Sequence, residues 1–426
     1  RLVRDTNVRI ISFHNRYTPI LVALLYSEHS VRARAKCDIY ISGAVVYNVY
    51  DFVLKKGDAM KLSKSGIFLI IVLVIAIALG AWVTVMTCNV LAKEPITTPN
   101  RTGSDTPQTV QPVEKPKEPD TFVISMVGDC TLASIQTGRD FDSYIDKNGT
   151  SWPFSGVLEY LSKDEFTLAN LECAFSDEAL KSSSLFYFRG PSSYADILMQ
   201  GSVECVTLGN NHTDDFGAKG VADTKAALDA AEVSWTAAGE SKVFTTEHGL
   251  KIGVYCPGWT GLSKNNVITG IQKLKDDGAD ILIFAPHWGV EGSYRVNANQ
   301  EALAHAAIDA GAPIVCGTHP HVLQKMESYN GGYIFYSLGN FSFGGNTAPR
   351  DVDTAIAQVT VKKDGDGWVI DGYDLIPCRL SSTDSKNDYR PRPYDKDEDG
   401  YARTIGKFDG SWTGSDLNVD YSFMYQ

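Results

Sequence analysis

The stretch that decides the fold is Cys316–Glu327, which reads C-G-T-H-P-H-V-L-Q-K-M-E. It follows an apolar run, Ala312–Val315, that predicts a buried strand. Two imidazoles, His319 and His321, stand two residues apart on the loop that leaves this strand. In an extended segment that spacing points both rings to the same side, and neutral imidazole is the commonest metal ligand. The stretch therefore predicts a metal-binding loop at the C-terminal end of a buried strand.

Four other loops carry polar side chains in the same setting, directly after a strand-like run. Leu208–Asp215 reads L-G-N-N-H-T-D-D, and Ala285–Glu291 reads A-P-H-W-G-V-E. Earlier in the chain, Asp129 stands in V-G-D-C and Glu172 in N-L-E-C. Five loops that each end a strand and each carry a histidine, asparagine or carboxylate indicate one metal centre assembled from distant parts of the chain.

Each of these residues also has an ordinary structural role as an alternative. A single histidine after a strand is more often hydrogen-bonded than metal-bound, and a carboxylate there is often a helix cap. The combination favours a metal, because mixed nitrogen and oxygen donors suit Mn, Fe or Zn rather than Mg or Ca alone. Two neighbouring metals would activate a water and clamp a phosphoryl group. The donor set comprises Asp129, Glu172, Asn211, His212, His287, His319 and His321.

Size and charge limit the class of protein. The 426-residue chain is 43% hydrophobic and 11% aromatic, which is ordinary for a globular protein with a sizeable core. Its length allows two or three domains, although an α/β sandwich of this size is often a single domain. The formal net charge is -12, so the bulk charge argues against a nucleic-acid partner.

Residues 1–59 are expected to be a translated leader rather than part of the biological protein. They contain no methionine, and Met60 is the first methionine of the chain. Codons for Lys56-Gly57-Asp58, just before it, can spell a purine-rich bacterial ribosome-binding site. The alternative is a genuine cytoplasmic extension. In either case residues 1–59 are expected to lie outside the folded domain, as a targeting segment would.

Residues 60–92 are predicted to form a single transmembrane helix. Ile67–Met86 carries no charge and is about the length of ~20 apolar residues that spans a bilayer. Lys61 and Lys64 precede it, so the positive-inside rule leaves the N-terminus in the cytoplasm and the following domain outside. A signal peptide cleaved after Val90-Leu91-Ala92 is the alternative. The length of the apolar run favours an uncleaved anchor in the cell membrane.

The rest of the chain divides by composition. Residues 93–120 are rich in Pro and Thr and nearly free of large apolar groups, so we expect a disordered linker. In residues 121–380 apolar strand runs alternate with helical patterns, which indicates an α/β fold with largely parallel sheets. Thr354–Lys362 and Trp368–Leu375 flank a D-G-D-G turn and predict an antiparallel hairpin. Residues 381–426 lose apolar periodicity, and an irregular C-terminal extension is expected.

The cysteines beyond the membrane segment are predicted to be buried free thiols. Most lie in apolar strand runs, where a free cysteine behaves as a small hydrophobe. They lack paired C-x-x-C spacing, which argues against thiolate metal ligation. A disulfide between Cys130 and Cys173 is the alternative, since each follows a candidate metal carboxylate. The residues are Cys130, Cys173, Cys205, Cys256, Cys316 and Cys378.

Six motifs occur in a fixed order: V-G-D, N-L-E, G-N-N-H-x-x-D, H-W-G-x-E, G-T-H-P-H-V and Y-S-L-G-N-F. Over residues 121–378 this order resembles the CapA family of bacterial capsule-synthesis proteins. That family is similar in fold to the calcineurin-like metallophosphoesterases. The resemblance implies a four-layer α/β/β/α sandwich of two mixed sheets flanked by helices. A membrane anchor before the domain also fits the family.

The resemblance implies a role in making, exporting or anchoring poly-γ-glutamate at the cell surface. That anionic polymer and other capsule-synthesis membrane proteins are the implied partners, and one or two divalent metals the implied cofactor. His212 would protonate the leaving group, with Asp215 and Glu291 completing the catalytic group, and Glu291 and Asn340 would shape the pocket. The implied metal ligands are Asp129, Glu172 (bridging), Asn211, His287, His319 and His321.

One departure from the phosphoesterase pattern bears on activity. The first phosphoesterase motif is D-x-H, whereas this chain has Asp129-Cys130-Thr131. One metal position is therefore short of a ligand, as it is in the capsule family. Two alternatives to the capsule role stay open: an extracytoplasmic metal-dependent phosphoesterase or other hydrolase, and a polymer-binding module without turnover.

Overall fold

The computed structural model describes residues 8–15, 18–25, 120–136, 138–182 and 184–419. The chain divides into two compact units, Arg1–Val110 and Gln111–Gln426. In the first unit, strands β1 (Val8–Asn15) and β2 (Thr18–Leu25) form an antiparallel hairpin.

The predicted membrane segment at residues 60–92 lies outside the described residues, and so does the predicted linker except for Asp120. Within the part of the chain that the structure describes, no helix is long and apolar enough to cross a bilayer.

The second unit alternates strands and helices along the chain. The strands are β3 (Thr121–Thr131), β4 (Phe166–Leu171), β5 (Ala174–Phe175), β6 (Arg189–Gly190), β7 (Cys205–Leu208), β8 (Ser234–Ala237), β9 (Glu240–Thr245), β10 (Lys251–Cys256), β11 (Ile281–Phe284), β12 (Ile314–Cys316), β13 (Met326–Tyr329), β14 (Gly332–Phe335), β15 (Asn340–Phe343), β16 (Asp353–Asp364), β17 (Gly367–Arg379) and β18 (Arg392–Pro393). The helices are α1 (Asp140–Asn148), α2 (Leu158–Leu161), α3 (Ala195–Gln200), α4 (Gly217–Ala230), α5 (Lys264–Asp276), α6 (Ala298–Ala310) and α7 (Asp399–Asp409), with a 3-10 turn at Ser192–Tyr194.

Two large mixed sheets organise this unit. The first has the order β18-β17-β16-β3-β4-β7-β8, with β15 pairing on β3. Strands β15, β3, β4, β7 and β8 run parallel in it, and β16 and β17 form the predicted antiparallel hairpin. The second sheet has the order β13-β14-β12-β11-β10-β9, in which the four inner strands are parallel. The predicted α/β fold with two mixed sheets is confirmed.

Three apolar clusters separate four layers. Residues of α1 to α4 pack with the outer face of the first sheet, and residues of α5 and α6 pack with the outer face of the second. The middle cluster joins the facing sides of the two sheets. Alternation along β4 explains the assignment: Phe166 and Leu168 face the other sheet, while Ala169 and Leu171 face the helices.

The C-terminal extension is more regular than the sequence predicts, and the expectation of an irregular segment is wrong there. It contains β18 and the helix α7, whose Phe408 is 1% exposed and packs in the middle cluster. The sequence of α7 lacks the apolar periodicity of a packed helix because two of its inward-facing residues are a lysine and an arginine. Lys407 lies within 2.7 to 2.8 Å of Asp351 and Asp353, and Arg403 holds Asp353 at 2.6 and 2.7 Å. Paired charges replace apolar residues on the buried face of the helix.

The six described cysteines are free and buried, as predicted, and the alternative disulfide between Cys130 and Cys173 does not form. Burial raises the pKa of Cys130 to about 12, so this thiol stays protonated at neutral pH. The thiols therefore act as small apolar side chains rather than as metal ligands.

Candidate metal centre

The candidate site lies at the C-terminal ends of β3, β4, β7, β11 and β12, where the two sheets face each other. Glu172 follows β4, two residues after Asn170 and four after Leu168. Because side chains on a strand alternate, Asn170 lies on the face that carries Leu168 toward the second sheet. Loops of that second sheet supply the three histidines that meet Glu172.

Asp129 reaches the same face through a β-bulge. The pairing of β3 with β4 shifts between Met126 and Asp129, where three steps along β3 match two steps along β4 from Leu168 to Asn170. The extra residue reverses the alternation. The bulge is tightly packed, since a Cβ on Gly128 would lie 1.9 Å from the carbonyl oxygen of Gly339.

The Asp129 carboxylate is fully buried and hydrogen-bonded. Its Oδ1 accepts from Asn170 Nδ2 at 2.8 Å, and its Oδ2 accepts from the backbone N–H of His319 at 3.2 Å. His321 Nδ1 lies 3.5 Å from Oδ2. Burial raises the pKa of Asp129 against the lowering effect of His321. The two hydrogen bonds thus hold the carboxylate in place, and a nearby cation would still stabilise its buried negative charge.

Glu172 differs from Asp129, because neither of its buried carboxylate oxygens has a hydrogen-bond partner among the described residues. Its Oε1 lies 3.6 Å from His287 Nε2 and 3.7 Å from His321 Nε2. Ligand atoms of Glu172, His319 and His321 all lie within 4.8 Å of one another. Burial first, and then repulsion from Asp129, raises the pKa of Glu172 well above its usual range.

His287 and His319, on loops of the second sheet, are neutral and fixed in position, as metal ligands are. Burial lowers the pKa of His287 well below its ordinary value and lowers that of His319 to about 3. His287 Nε2 lies 2.7 Å from Asn211 Oδ1 and 3.0 Å from His319 Nδ1. His287 Nδ1 lies 3.0 Å from Thr318 Oγ1. The ring positions of His287, Asn211 and His319 are therefore fixed by mutual contacts.

The loop after β12 is not extended, so the expectation that an extended backbone aligns the two imidazoles is wrong. His319 has φ of 99° and His321 has φ of 57°, a region that non-glycine residues rarely adopt. The rings still converge, with centroids 6.0 Å apart. His321 is anchored through Nδ1, 2.8 Å from Asn340 Oδ1. Backbone strain here accompanies the convergence of the two side chains.

The predicted catalytic residues lie at two edges of the centre. His212 Nδ1 is 2.8 Å from Asp215 Oδ2, and the Phe188 ring packs edge-on against His212 at 4.7 Å. Asp215 is buried and orients the imidazole, leaving Nε2 as the nitrogen that could exchange a proton. Glu291 lines a cavity beside His321 instead of joining this pair.

Three residues at the centre were not singled out from the sequence: Asn170, Thr318 and Trp259. Asn170 bonds Asp129 and also accepts from Thr207 Oγ1 at 3.0 Å and from Asn210 Nδ2 at 3.1 Å. The Trp259 ring lies 4.5 Å from His319. Asn170 and Thr318 stand inside the N-L-E and G-T-H-P-H-V motifs, which was the available signal for both, whereas Trp259 carries none.

Comparison with known proteins places the chain in a family. The family model described as "Bacterial capsule synthesis protein PGA_cap" matches residues 123–254 and 250–345. The chain belongs to this family. All of the candidate site residues lie within the matched range, from Asp129 to Asn340.

Curated relatives agree with this assignment. The "Capsule biosynthesis protein CapA" of Bacillus anthracis is 29% identical over 307 residues, covering 66% of this chain and 72% of that protein. The "PGA biosynthesis protein CapA" of Bacillus subtilis is 28% identical over 315 residues, covering 67% and 81%. A crystal structure of the calcineurin-like phosphoesterase YfkN from Bacillus subtilis matches 63% of this chain and 94% of its own, at 14% identity and a TM-score of 0.38.

The residues of the centre fit a divalent cation. Two buried carboxylates, Asp129 and Glu172, face imidazoles that burial keeps neutral. Without a cation the unbonded Glu172 would either carry an uncompensated buried charge or bind a proton. Oxygen and nitrogen donors of this kind suit Mn, Fe or Zn. The geometry thus supports a His/Glu metal site around Glu172, His319 and His321.

Proposed function

We propose that the protein acts in the synthesis, export or anchoring of a poly-γ-glutamate capsule at the bacterial cell surface. The observation that carries the proposal is the family match, which spans every loop of the candidate centre. The two CapA relatives, named for capsule and PGA biosynthesis, support the same role. The net charge of -12 disfavours general attraction of an anionic polymer. Contact with such a polymer therefore has to be local, at the centre.

The centre is proposed to bind one or two divalent metals, with Mn, Fe or Zn as candidates. Glu172, His319 and His321 would be ligands, joined by Asp129, His287 and Asn211 around them. A divalent metal there would supply Lewis-acid polarisation of a substrate oxygen. The chain's own residues would do the rest: Asn170 and Thr318 hold Asp129 and His287 in position, and Trp259 covers the His319 ring on one side.

The membrane location is part of the proposal. It is supported by the uncharged run Ile67–Met86 after Lys61 and Lys64. A single-pass anchor of this orientation would keep the folded unit outside the cytoplasm, where a surface polymer is assembled. Protease added to intact cells should then degrade the folded unit. Protection of the folded unit in intact cells would contradict the orientation.

Complementation tests the capsule role. A polyglutamate-producing bacterium that lacks its own family member is given the full chain, either unaltered or as Glu172→Gln. Surface polyglutamate should return with the unaltered chain and not with the variant, at equal protein levels. If neither chain restores surface polyglutamate, the capsule role is contradicted. If both chains restore it equally, the metal centre is not required for the capsule role.

A metal-dependent hydrolase without a capsule role is the second candidate. The observation that favours it is the His212–Asp215 pair at 2.8 Å, because a site that only binds has no need of an oriented proton donor. A chromogenic phosphodiester assay tests this candidate. Turnover that His212→Asn reduces by roughly 10² or more, with metal content unchanged, would support it.

A further inference from the structure

A small cavity of about 170 Å³ opens beside the metal centre. His321 and Asn340 form its inner wall, and Glu291 and Arg350 also line it. It is smaller than the pockets of roughly 300–1,000 Å³ that enclose drug-sized ligands. A space of this size accommodates one carboxylate-bearing unit rather than a folded partner.

The outer wall of the cavity comes from residues 411–419, here called the C-terminal strap. Leu417 and Val419 of the strap line the cavity. The Leu417 N–H donates to the Gly292 carbonyl at 2.8 Å, and Asp416 Oδ1 accepts from the Tyr294 N–H at 3.0 Å. The strap is thus fastened to the loop that carries Glu291. The C-terminal extension is therefore part of the rim of the site.

Arg350 is the cation available in this cavity. Its Nη2 donates to the Asn418 carbonyl at 2.9 Å, the one acceptor that it reaches within the described ranges. The bond to the strap fixes the guanidinium while leaving its other N–H groups for a ligand. Lys407 is nearby in the fold but is 2% exposed and held by Asp351 and Asp353. Arg350 is therefore the group to which an anion could bind.

We propose that Arg350 binds a carboxylate of a polyglutamate chain and positions the adjoining backbone against the metal centre. The inference rests on the proposed function and adds to it the group that selects an acidic substrate. The carboxylates of Glu291 and Asp351 line this cavity, and they repel a polyanion. The Arg350 guanidinium, which lines the same cavity as His321, offsets that repulsion and forms paired hydrogen bonds with a planar carboxylate.

Binding of a short γ-linked glutamate oligomer to the full chain in detergent tests the inference, with the uncharged γ-linked glutamine oligomer as the second probe. The unaltered chain should prefer the charged oligomer. Arg350→Gln should weaken its binding about tenfold or more without affecting the uncharged probe. Arg350→Lys should be intermediate, since an ammonium lacks the planar fork. Arg139→Gln, the same charge change in an exposed pair with Asp146, is the matched control.

The outcomes separate the two claims. If the unaltered chain binds the glutamate oligomer and both Arg350 variants bind it equally well, the role of Arg350 is overturned and the proposed function stands. If the unaltered chain does not bind the glutamate oligomer but binds a phosphodiester, the proposed function is contradicted, and the role of Arg350 is contradicted with it. If Arg350→Gln unfolds at the same temperature as the unaltered chain, its loss of binding is a local effect. If Arg350→Gln unfolds at a lower temperature, the comparison is made with Arg350→Lys instead.

Discussion

Both ends of strand β4 carry carboxylates, but only those after the strand are fully buried, and the two sets differ in their hydrogen bonds. Before the strand, Asp164 accepts from Thr167 Oγ1 at 2.7 Å, and the Thr167 N–H donates to Glu204 at 2.7 Å. After the strand, Glu172 has no hydrogen-bond partner in the described chain and faces imidazoles instead. The carboxylates before the strand therefore have hydrogen-bond partners within the protein, whereas Glu172 after the strand needs a cation to compensate its charge. Full burial, carboxylate oxygens without hydrogen-bond partners and neutral imidazoles together distinguish Glu172 as a metal ligand.

The largest expected effect is on metal-dependent stability. Chelation should lower the unfolding temperature of the full chain, since a ligand at ~1,000 times its dissociation constant stabilises by about 4 kcal/mol. Glu172→Gln should remove most of this response, because the amide cannot replace the carboxylate ligand. Differential scanning calorimetry with and without chelator measures it. Glu204→Gln, the same change at the other end of β4, should respond to the chelator as the unaltered chain does.

Histidine substitutions at the two ends of β4 should differ in their effect on metal affinity. His319→Ala should weaken metal binding by at least about tenfold, since the ring is one of three clustered ligand groups. His248→Ala should leave metal binding unchanged, because His248 is an exposed partner of Glu165 at the opposite end. Titration of the metal-free protein with Zn²⁺ or Mn²⁺ gives both affinities. Equal affinities in the two variants would remove His319 from the ligand set.

Polar residues within β4 should differ in their contribution to folding. Asn170→Leu should cost roughly 2–3 kcal/mol, because it leaves Asp129, Asn210 and Thr207 without a shared partner in a buried place. Thr167→Val should cost about 1 kcal/mol, since it removes one hydroxyl donor to Asp164 near the surface. Urea unfolding of the two variants gives the comparison. A larger loss for Thr167→Val would contradict the central role of Asn170.

A pH dependence of stability is expected at the first end, before β4. Burial raises the pKa of Asp164 to about 6, against a usual value of 3.8. The folded state therefore binds this proton more tightly than the unfolded state, and the resulting stability is present below pH ~4 and lost as the pH rises through 6. Asp164→Asn should be more stable relative to the unaltered chain at pH 8 than at pH 5, by roughly 1–2 kcal/mol. A difference that does not depend on pH would contradict this assignment.

The sequence was sufficient for the strand-and-helix order and for the loops that converge, because alternation and strand-end positions are local properties. It was not sufficient for Asp129, whose direction depends on a bulge that appears only once β3 pairs with β4. Nor did it predict the positive φ of His319 and His321. The helix α7 was missed because Arg403 and the buried Lys407 pair with Asp353, a partner about fifty positions earlier in the chain. Long-range pairing, rather than weak local signal, explains the misses at Asp129 and α7.

Elemental analysis of the purified full chain, beside Glu172→Gln and Glu204→Gln, tests the metal centre most directly. We expect Mn, Fe or Zn in the unaltered chain and in Glu204→Gln, and a strongly reduced amount in Glu172→Gln. Equal metal in all three proteins, or none in the unaltered chain after purification and reconstitution with Mn²⁺, Fe²⁺ or Zn²⁺, would contradict this expectation.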